Sequence, residues 1–213
     1  MVKRHVRVYI EGGAEGRVGD NDFRRCWKKF LNELHDLARA TGRYHSLEVV
    51  RGRGRGNAFR LFERHRNRHP NDLCVLLVDS EGAVPEGTKV WDVVAQRADD
   101  RWSQPRWAGE SHLYLMVHSV ETWLLTDQDA LHRFFRHGFA PNVLPTTALE
   151  QRPKEEIFKA LKRATINSNR GAYQHGHAHL IIEDVRPERV KGLSHGKRLF
   201  ETLGKLIDPE KET

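Results

Sequence analysis

Polar and apolar residues alternate along His5-Val-Arg-Val-Tyr-Ile10, the two-residue period of a strand, and Glu11-Gly12-Gly13 stops it. From about Asp20 the period lengthens. Phe23, Trp27, Phe30, Leu31, Leu34 and Ala38 fall on one helical face, Arg24, Arg25, Lys28 and Lys29 fall elsewhere, and Gly42 is the stop. Residues 46–50 suit a short second strand. Arg51-Gly-Arg-Gly-Arg-Gly56 interrupts it, and a helix is predicted over 57–68. Residues 72–78 contain Leu-Cys-Val-Leu-Leu-Val, the continuous apolar run of a parallel strand covered on both faces, ending at Asp79-Ser-Glu81-Gly82. A helix over 91–102 and a fourth strand over 112–118 follow.

Strand alternating with helix at this spacing predicts an α/β fold, a parallel sheet with helices on both faces. The last third reads differently. Thr126-Asp-Gln-Asp129 resembles a capping box before a helix over 130–135, further helices are predicted over 154–164 and 195–207, and Gly- and His-rich loops lie between them. The expected division is an α/β core over 1–125 with a helical C-terminal extension over 126–213 packed on it.

Composition narrows the partners. The 213 residues are 38% hydrophobic and 31% charged, and no apolar run approaches a membrane span. The N-terminus leads straight into a strand rather than a signal-peptide core, so the expected location is cytoplasmic. Cys26 and Cys74 read as buried thiols. The net charge is +7, from 36 basic and 29 acidic residues, and 25 of the basic ones are Arg. Arg forks onto phosphate oxygens in bidentate fashion, so an anionic partner is expected, nucleic acid before others.

In an open parallel sheet the functional crevice lies beyond the carboxyl ends of the strands. Glu11 ends the first strand; Asp79 and Glu81 end the third. Carboxylates there, beside Gly12, Gly13 and Gly82, make a hard-oxygen pocket for Mg²⁺ or Mn²⁺, which would polarise a phosphoryl oxygen while an unligated carboxylate takes a proton from water. The alternative is that these acids are solvated turn residues. Glu15 either joins the site or complements the following helix N-terminus.

The basic residues have their own pattern. Arg51, Arg53 and Arg55 alternate with glycines, and Arg60, Arg64 and Arg68 recur every four residues along the next helix. Such a run could track a phosphate backbone through charge alone; four contacts would give a salt slope of about −3.6. A solvated charged face is the alternative, and Phe59 and Phe62 read as core at their helical spacing. His175, His177 and His179 share one face in a strand, but only His175 and His179 share one in a helix. A zinc or manganese site and a proton-transfer role for one of them are both open.

Val8-Tyr-Ile-Glu11-Gly-Gly-Ala-Glu15 followed by Leu77-Val-Asp79-Ser-Glu81-Gly resembles the TOPRIM pattern of topoisomerases, primases, recombination proteins and OLD-type nucleases, with a Glu after strand one and an Asp-x-Asp after strand three. Met116-Val-His-Ser-Val-Glu121-Thr-Trp123-Leu-Leu-Thr-Asp127, Arg152-Pro-Lys154 and Gly171-Ala-Tyr173-Gln-His-Gly176-His177 resemble, more narrowly, a TOPRIM-like family encoded beside ABC-type or AAA-type ATPases in phage-defence loci. Two departures stand out. Glu81 replaces the second Asp, and His175 lies where relatives carry the Lys of Tyr-x-Lys-Gly, leaving His175 or Lys154 to substitute for it.

The resemblance implies a metal-dependent nuclease in which Glu11, Asp79 and Glu81 hold the ion. Glu121 and His175 join the catalytic set, and an ATPase is the partner. Trp123 reads as core. Lys154 and the six arginines of the loop and helix would bind nucleic acid. A non-catalytic module that docks on the ATPase or on nucleic acid is the rival reading, and the sequence leaves self-association open.

Overall fold

The structure is a computed structural model and describes residues 3–12 and 19–212; Gly13 and Glu15 lie outside them. All four expected strands form, as β1 (His5–Ile10), β2 (Ser46–Arg51), β3 (Leu73–Asp79) and β4 (Leu113–Met116). They make one parallel sheet in the order β2-β1-β3-β4, with Ile10 opposite both Arg51 and Leu77, and Asp79 opposite Met116.

Between the strands run α1 (Asp20–Phe30), α2 (Asn32–Ala40), α3 (Arg55–Arg68) and α4 (Val90–Gln96). After β4 come α5 (Val120–Leu125), α6 (Gln128–Phe135), α7 (Lys154–Thr165), α8 (His175–Ile181), α9 (Pro187–Val190) and α10 (Ser194–Ile207).

Alternation within the strands builds two cores, one per face. Val8, Ile10, Val75, Leu77, Tyr114 and Met116 face α1, α2 and the C-terminal helices. Tyr9, Cys74, Leu76, Val78 and Leu115 face α3 and α4, where Phe59 and Phe62 are core as expected. Helices therefore cover both faces, which is why β3 reads as an unbroken apolar run. Trp27, Phe30, Trp123 and Phe200 meet in the first core, so α10 closes the same cluster that α1 opens. Each such fully buried side chain contributes about 1.5–3 kcal/mol. Arg198 of α10 donates to the carbonyls of Leu113 and Glu110, which fastens the extension to the β4 edge. Burial pushes the Cys26 and Cys74 thiols up to about 11 and about 12, as suits inert core residues.

Several elements differ from the sequence pattern, α5 and α9 among them, which form where no helix is expected. The helix expected from Asp20 breaks at Leu31 (φ −91°, ψ 17°), although Leu34 and Ala38 continue its buried face. The helix expected over 91–102 stops at Gln96. Beyond it Asp100 takes Arg55 and Arg97, and Trp102 stacks on Phe59 at 4.5 Å, so tertiary contacts override the local period. The segment 175–181, expected as loop, is helix α8, its first turn tied by Gln174 and His177 exchanging hydrogen bonds.

Candidate metal centre

The chain runs from β1 outward to β2, then back across β1 to β3, with α1 and α2 on one face and α3 on the other. The strand order reverses between β1 and β3, and loops leaving their carboxyl ends diverge to open a crevice. Glu11 follows β1 there, and Asp79 with Glu81 stands at the end of β3. One carboxylate oxygen from each lies within 4.8 Å of the other two.

Each position is fixed by backbone. The Glu11 amide donates to the Leu77 carbonyl at 3.2 Å, and its own carbonyl accepts from Gly54 at 3.0 Å. Gly52 allows that approach, since a Cβ there would sit 2.4 Å from the Ala58 Cβ and 2.9 Å from the Glu11 carbonyl. Asp79 accepts from the Val120 amide at 3.0 Å, where α5 begins. Glu81 has a φ of +62°, a left-handed conformation that costs about 1–3 kcal/mol in a residue other than glycine. The His118 carbonyl, accepting from the Glu81 amide at 2.8 Å, holds it there. Gly82 faces open space, whereas Gly12 packs against the Phe23 ring.

The charges oppose one another. Burial raises the Glu11 carboxyl above its ordinary value; Arg55 draws it back and Glu81 adds to the rise. Asp79 is pushed well above the carboxylate range by burial and by the neighbouring charges of Glu11, Glu121 and Glu81, with Lys154 acting the other way. Arg55 reaches Glu11 at 3.3 Å and also donates to the Asp79 carbonyl, while Asp100 grips its Nε at 2.6 Å. Lys154 donates to both Glu81 oxygens at 2.8 and 2.7 Å. Burial would lower its ammonium, but Glu81, Asp79 and Glu121 raise it overall. Three hard oxygen donors that repel one another, open on the Gly82 side, fit a divalent cation.

Glu121 stands apart from this trio. It is buried at the start of α5, and Tyr173 Oη and His175 Nδ1 lie 2.9 and 3.0 Å from its Oε1. Burial alone would raise its carboxyl, yet the polar groups around it, His175 first and Tyr173 among them, hold it down at about 2. Trp123 is core, as expected. The three histidines diverge. His175 meets Glu121, His177 packs on Phe134 and Phe135, and His179 accepts from Trp27 Nε1 at 3.2 Å. Burial lowers His179 to about 4, so it is neutral. They do not form a common metal site.

The arginines divide as well. Arg51 turns inward over Phe23 and pairs with Asp20 at 3.1 Å; Arg55 is committed as described. Arg53 is exposed with Asp20 as its partner, and Arg60, Arg64 and Arg68 are exposed along α3. The exposed arginines of the run are therefore Arg53 in the loop and Arg60, Arg64 and Arg68 on the helix, while Arg51 and Arg55 are drawn inward. Lys154, expected to contact nucleic acid, lies at the carboxylates.

Phe158 and Asp100 have site contacts that no motif signalled, whereas Tyr173 lies in the segment 171–177 already quoted. A second grouping, His65, His69 and Asp72, lies at the other end of β3. There Asp72 is already occupied by Arg7 and by the His5 amide.

Residues 18–204 match DUF4276, a domain family of unknown function. The chain belongs to the DUF4276 family. The DUF4276 match takes in Asp79, Glu81, Glu121, Lys154 and His175 and begins after Glu11. No curated protein and no solved structure matches the chain.

Proposed function

We propose that this DUF4276 protein is a divalent-metal-dependent nuclease that hydrolyses phosphodiester bonds in DNA or RNA. One observation carries the reading: three carboxylates converge at the β1/β3 switch point, two of them raised above their ordinary values by burial and by neighbouring carboxylates. Glu after β1 and Asp-x-Glu after β3 also fit the TOPRIM resemblance.

Glu11, Asp79 and Glu81 would hold Mg²⁺ or Mn²⁺, which when bound supplies Lewis-acid polarisation of the phosphoryl oxygen. Arg55 fixes the Glu11 carboxylate from the α3 side. Lys154 places an ammonium beside Glu81, where a phosphate oxygen would enter. The exposed Arg60, Arg64 and Arg68 lead away from the crevice along α3, which runs about 20 Å, and hold the rest of the strand. The ATPase partner rests on the family resemblance alone, carried by the segments around Glu121, Lys154 and Tyr173, and it would supply the restraint a cytoplasmic nuclease needs.

A second reading has one observation in its favour. Lys154 already satisfies both Glu81 oxygens, as expected of a docking module whose carboxylates are idle. Cleavage of plasmid, single-stranded DNA and tRNA with Mg²⁺ or Mn²⁺ separates the two. Wild type is expected to cleave at least one, and Glu11→Ala and Asp79→Ala to cleave none. Activity that survives both substitutions contradicts the metal centre; inertness of the wild type with its partner present favours the docking module.

A further inference from the structure

Beside the carboxylate trio stands a second device built from α5, α7 and α8. Glu121 is buried with 3% of its surface exposed, and its Oε1 lies 2.9 Å from Tyr173 Oη and 3.0 Å from His175 Nδ1. A buried carboxylate that accepts from Nδ1 fixes the tautomer and turns Nε2 outward. The ring is held on a second side by Phe158, with centroids 4.1 Å apart and planes 9° from parallel. Even so, 65% of the His175 side chain is exposed. An imidazole aligned by two neighbours yet open to solvent is arranged for proton transfer.

Its place relative to the trio follows from α7. Phe158 lies one turn along that helix from Lys154, which grips Glu81, and Glu121 acts electrostatically on both Lys154 and Asp79. Glu121 lies against the ring at Nδ1, and Phe158, which stacks on it, also carries the Lys162 ammonium 4.7 Å from its ring centre.

We propose that His175, oriented by Glu121 and Tyr173, is the proton donor to the leaving oxygen in the phosphodiester hydrolysis proposed above, on which this assignment rests. The oxygen of water bonds to phosphorus, and the bond from phosphorus to the ester oxygen breaks, its electron pair going to that oxygen. The Nε2 proton of the imidazolium passes to it, giving an alcohol. The attacking water gives one proton to a site carboxylate, leaving a phosphomonoester. Neutral His175 keeps its Nδ1–H on Glu121 and regains the Nε2 proton from solvent. Glu121 stays ionised throughout, because its hydrogen bonds outweigh its burial. Glu121 and Tyr173 are positioning residues; of these three, His175 alone would touch the reacting atoms.

The test compares an unmodified oligonucleotide, whose alkoxide leaves poorly, with bis-p-nitrophenyl phosphate, whose leaving group needs no proton, both with Mn²⁺. His175→Ala is expected to slow oligonucleotide cleavage by roughly 10²–10⁴-fold and nitrophenyl ester hydrolysis far less. Added imidazole should restore part of the lost cleavage. Independently of activity, long-range proton–nitrogen NMR should find His175 as the Nδ1–H tautomer in wild type and a tautomer mixture in Glu121→Gln. Tyr173→Phe, a smaller perturbation, should slow the oligonucleotide selectively if Glu121→Gln does not fold. Equal losses on both substrates, no loss on the oligonucleotide, or an Nε2–H tautomer in wild type would overturn the proposal. If wild type hydrolyses both substrates and Glu11→Gln abolishes both while His175→Ala changes neither, only the proton donor is wrong. A wild type inert on both with its ATPase partner present removes the nuclease reading and this assignment with it.

Discussion

Asp72 and Asp79 stand at the two ends of one strand, and the structure treats them in opposite ways. Asp72, just before β3, receives Arg7 Nε at 2.8 Å and the His5 amide at 2.9 Å. Burial would raise its carboxyl, but these partners hold it below its ordinary range. Asp79 closes the same strand among other carboxylates, and burial with their charge drives it well above that range. A carboxylate fully met by cations and amides holds a fold together. One surrounded by its own kind is kept where a ligand of opposite charge is needed. Asp127 sides with Asp72: it caps α6 and receives Arg186 through Nε and Nη2.

The comparison can be broken first through activity. Asp79→Asn or Glu11→Gln should cost about 4 kcal/mol of transition-state stabilisation, roughly 10³-fold in kcat/KM for phosphodiester cleavage. Asp72→Ala should leave the cleavage constants of the folded protein in place. It should instead lower unfolding stability in urea by about 3 kcal/mol, because Arg7 loses a buried partner.

Next comes the response to metal and pH. A saturating divalent ion, at about 100 times its Kd, should raise stability by roughly 2.7 kcal/mol in wild type, as read by thermal melting. The gain should vanish in Asp79→Asn. Without metal the two ends should titrate in opposite senses. Asp79 binds its proton more tightly when folded, so its contribution falls as pH rises from the ordinary aspartate range toward its raised value. Asp72 binds its proton more weakly when folded. Its contribution is complete above the ordinary range and is lost as pH falls through the depressed value. Asp79→Asn should remove the first slope and Asp72→Asn the second.

The smallest effect is on binding. Arg60, Arg64 and Arg68→Ala together should lower the magnitude of the salt slope for duplex DNA by about 2.7, as measured by titration at several salt concentrations. An unchanged slope would move the phosphate track off α3. Arg51→Ala should act on stability instead, through Asp20.

Much of this was legible before any coordinates. Strand positions follow from two-residue alternation in β1 and the apolar run of β3, and the carboxylates from their place at strand ends beside glycine. What the pattern could not show is which members of a charged run turn inward. Arg51 and Arg55 find Asp20 and Asp100 at 31 and 45 residues' separation, and no local period encodes such pairings. The same limit hid α8. Its His-Gly-His-Ala-His sequence has weak helical preference, and its histidines are packed against Glu121, Phe158 and Trp27, which come from distant elements. Glu121, Tyr173 and His175 are all legible in the motifs they belong to, but the contacts of Tyr173 and His175 with Glu121 are set by the fold.

The central claim is that the Asp79 end of β3 is a divalent metal centre and the Asp72 end is not. Calorimetric titration of Mn²⁺ into wild type, Asp79→Asn and Asp72→Asn measures this directly. One binding event is expected in wild type, lost in Asp79→Asn and kept in Asp72→Asn. Binding that survives Asp79→Asn, or disappears only in Asp72→Asn, would contradict it.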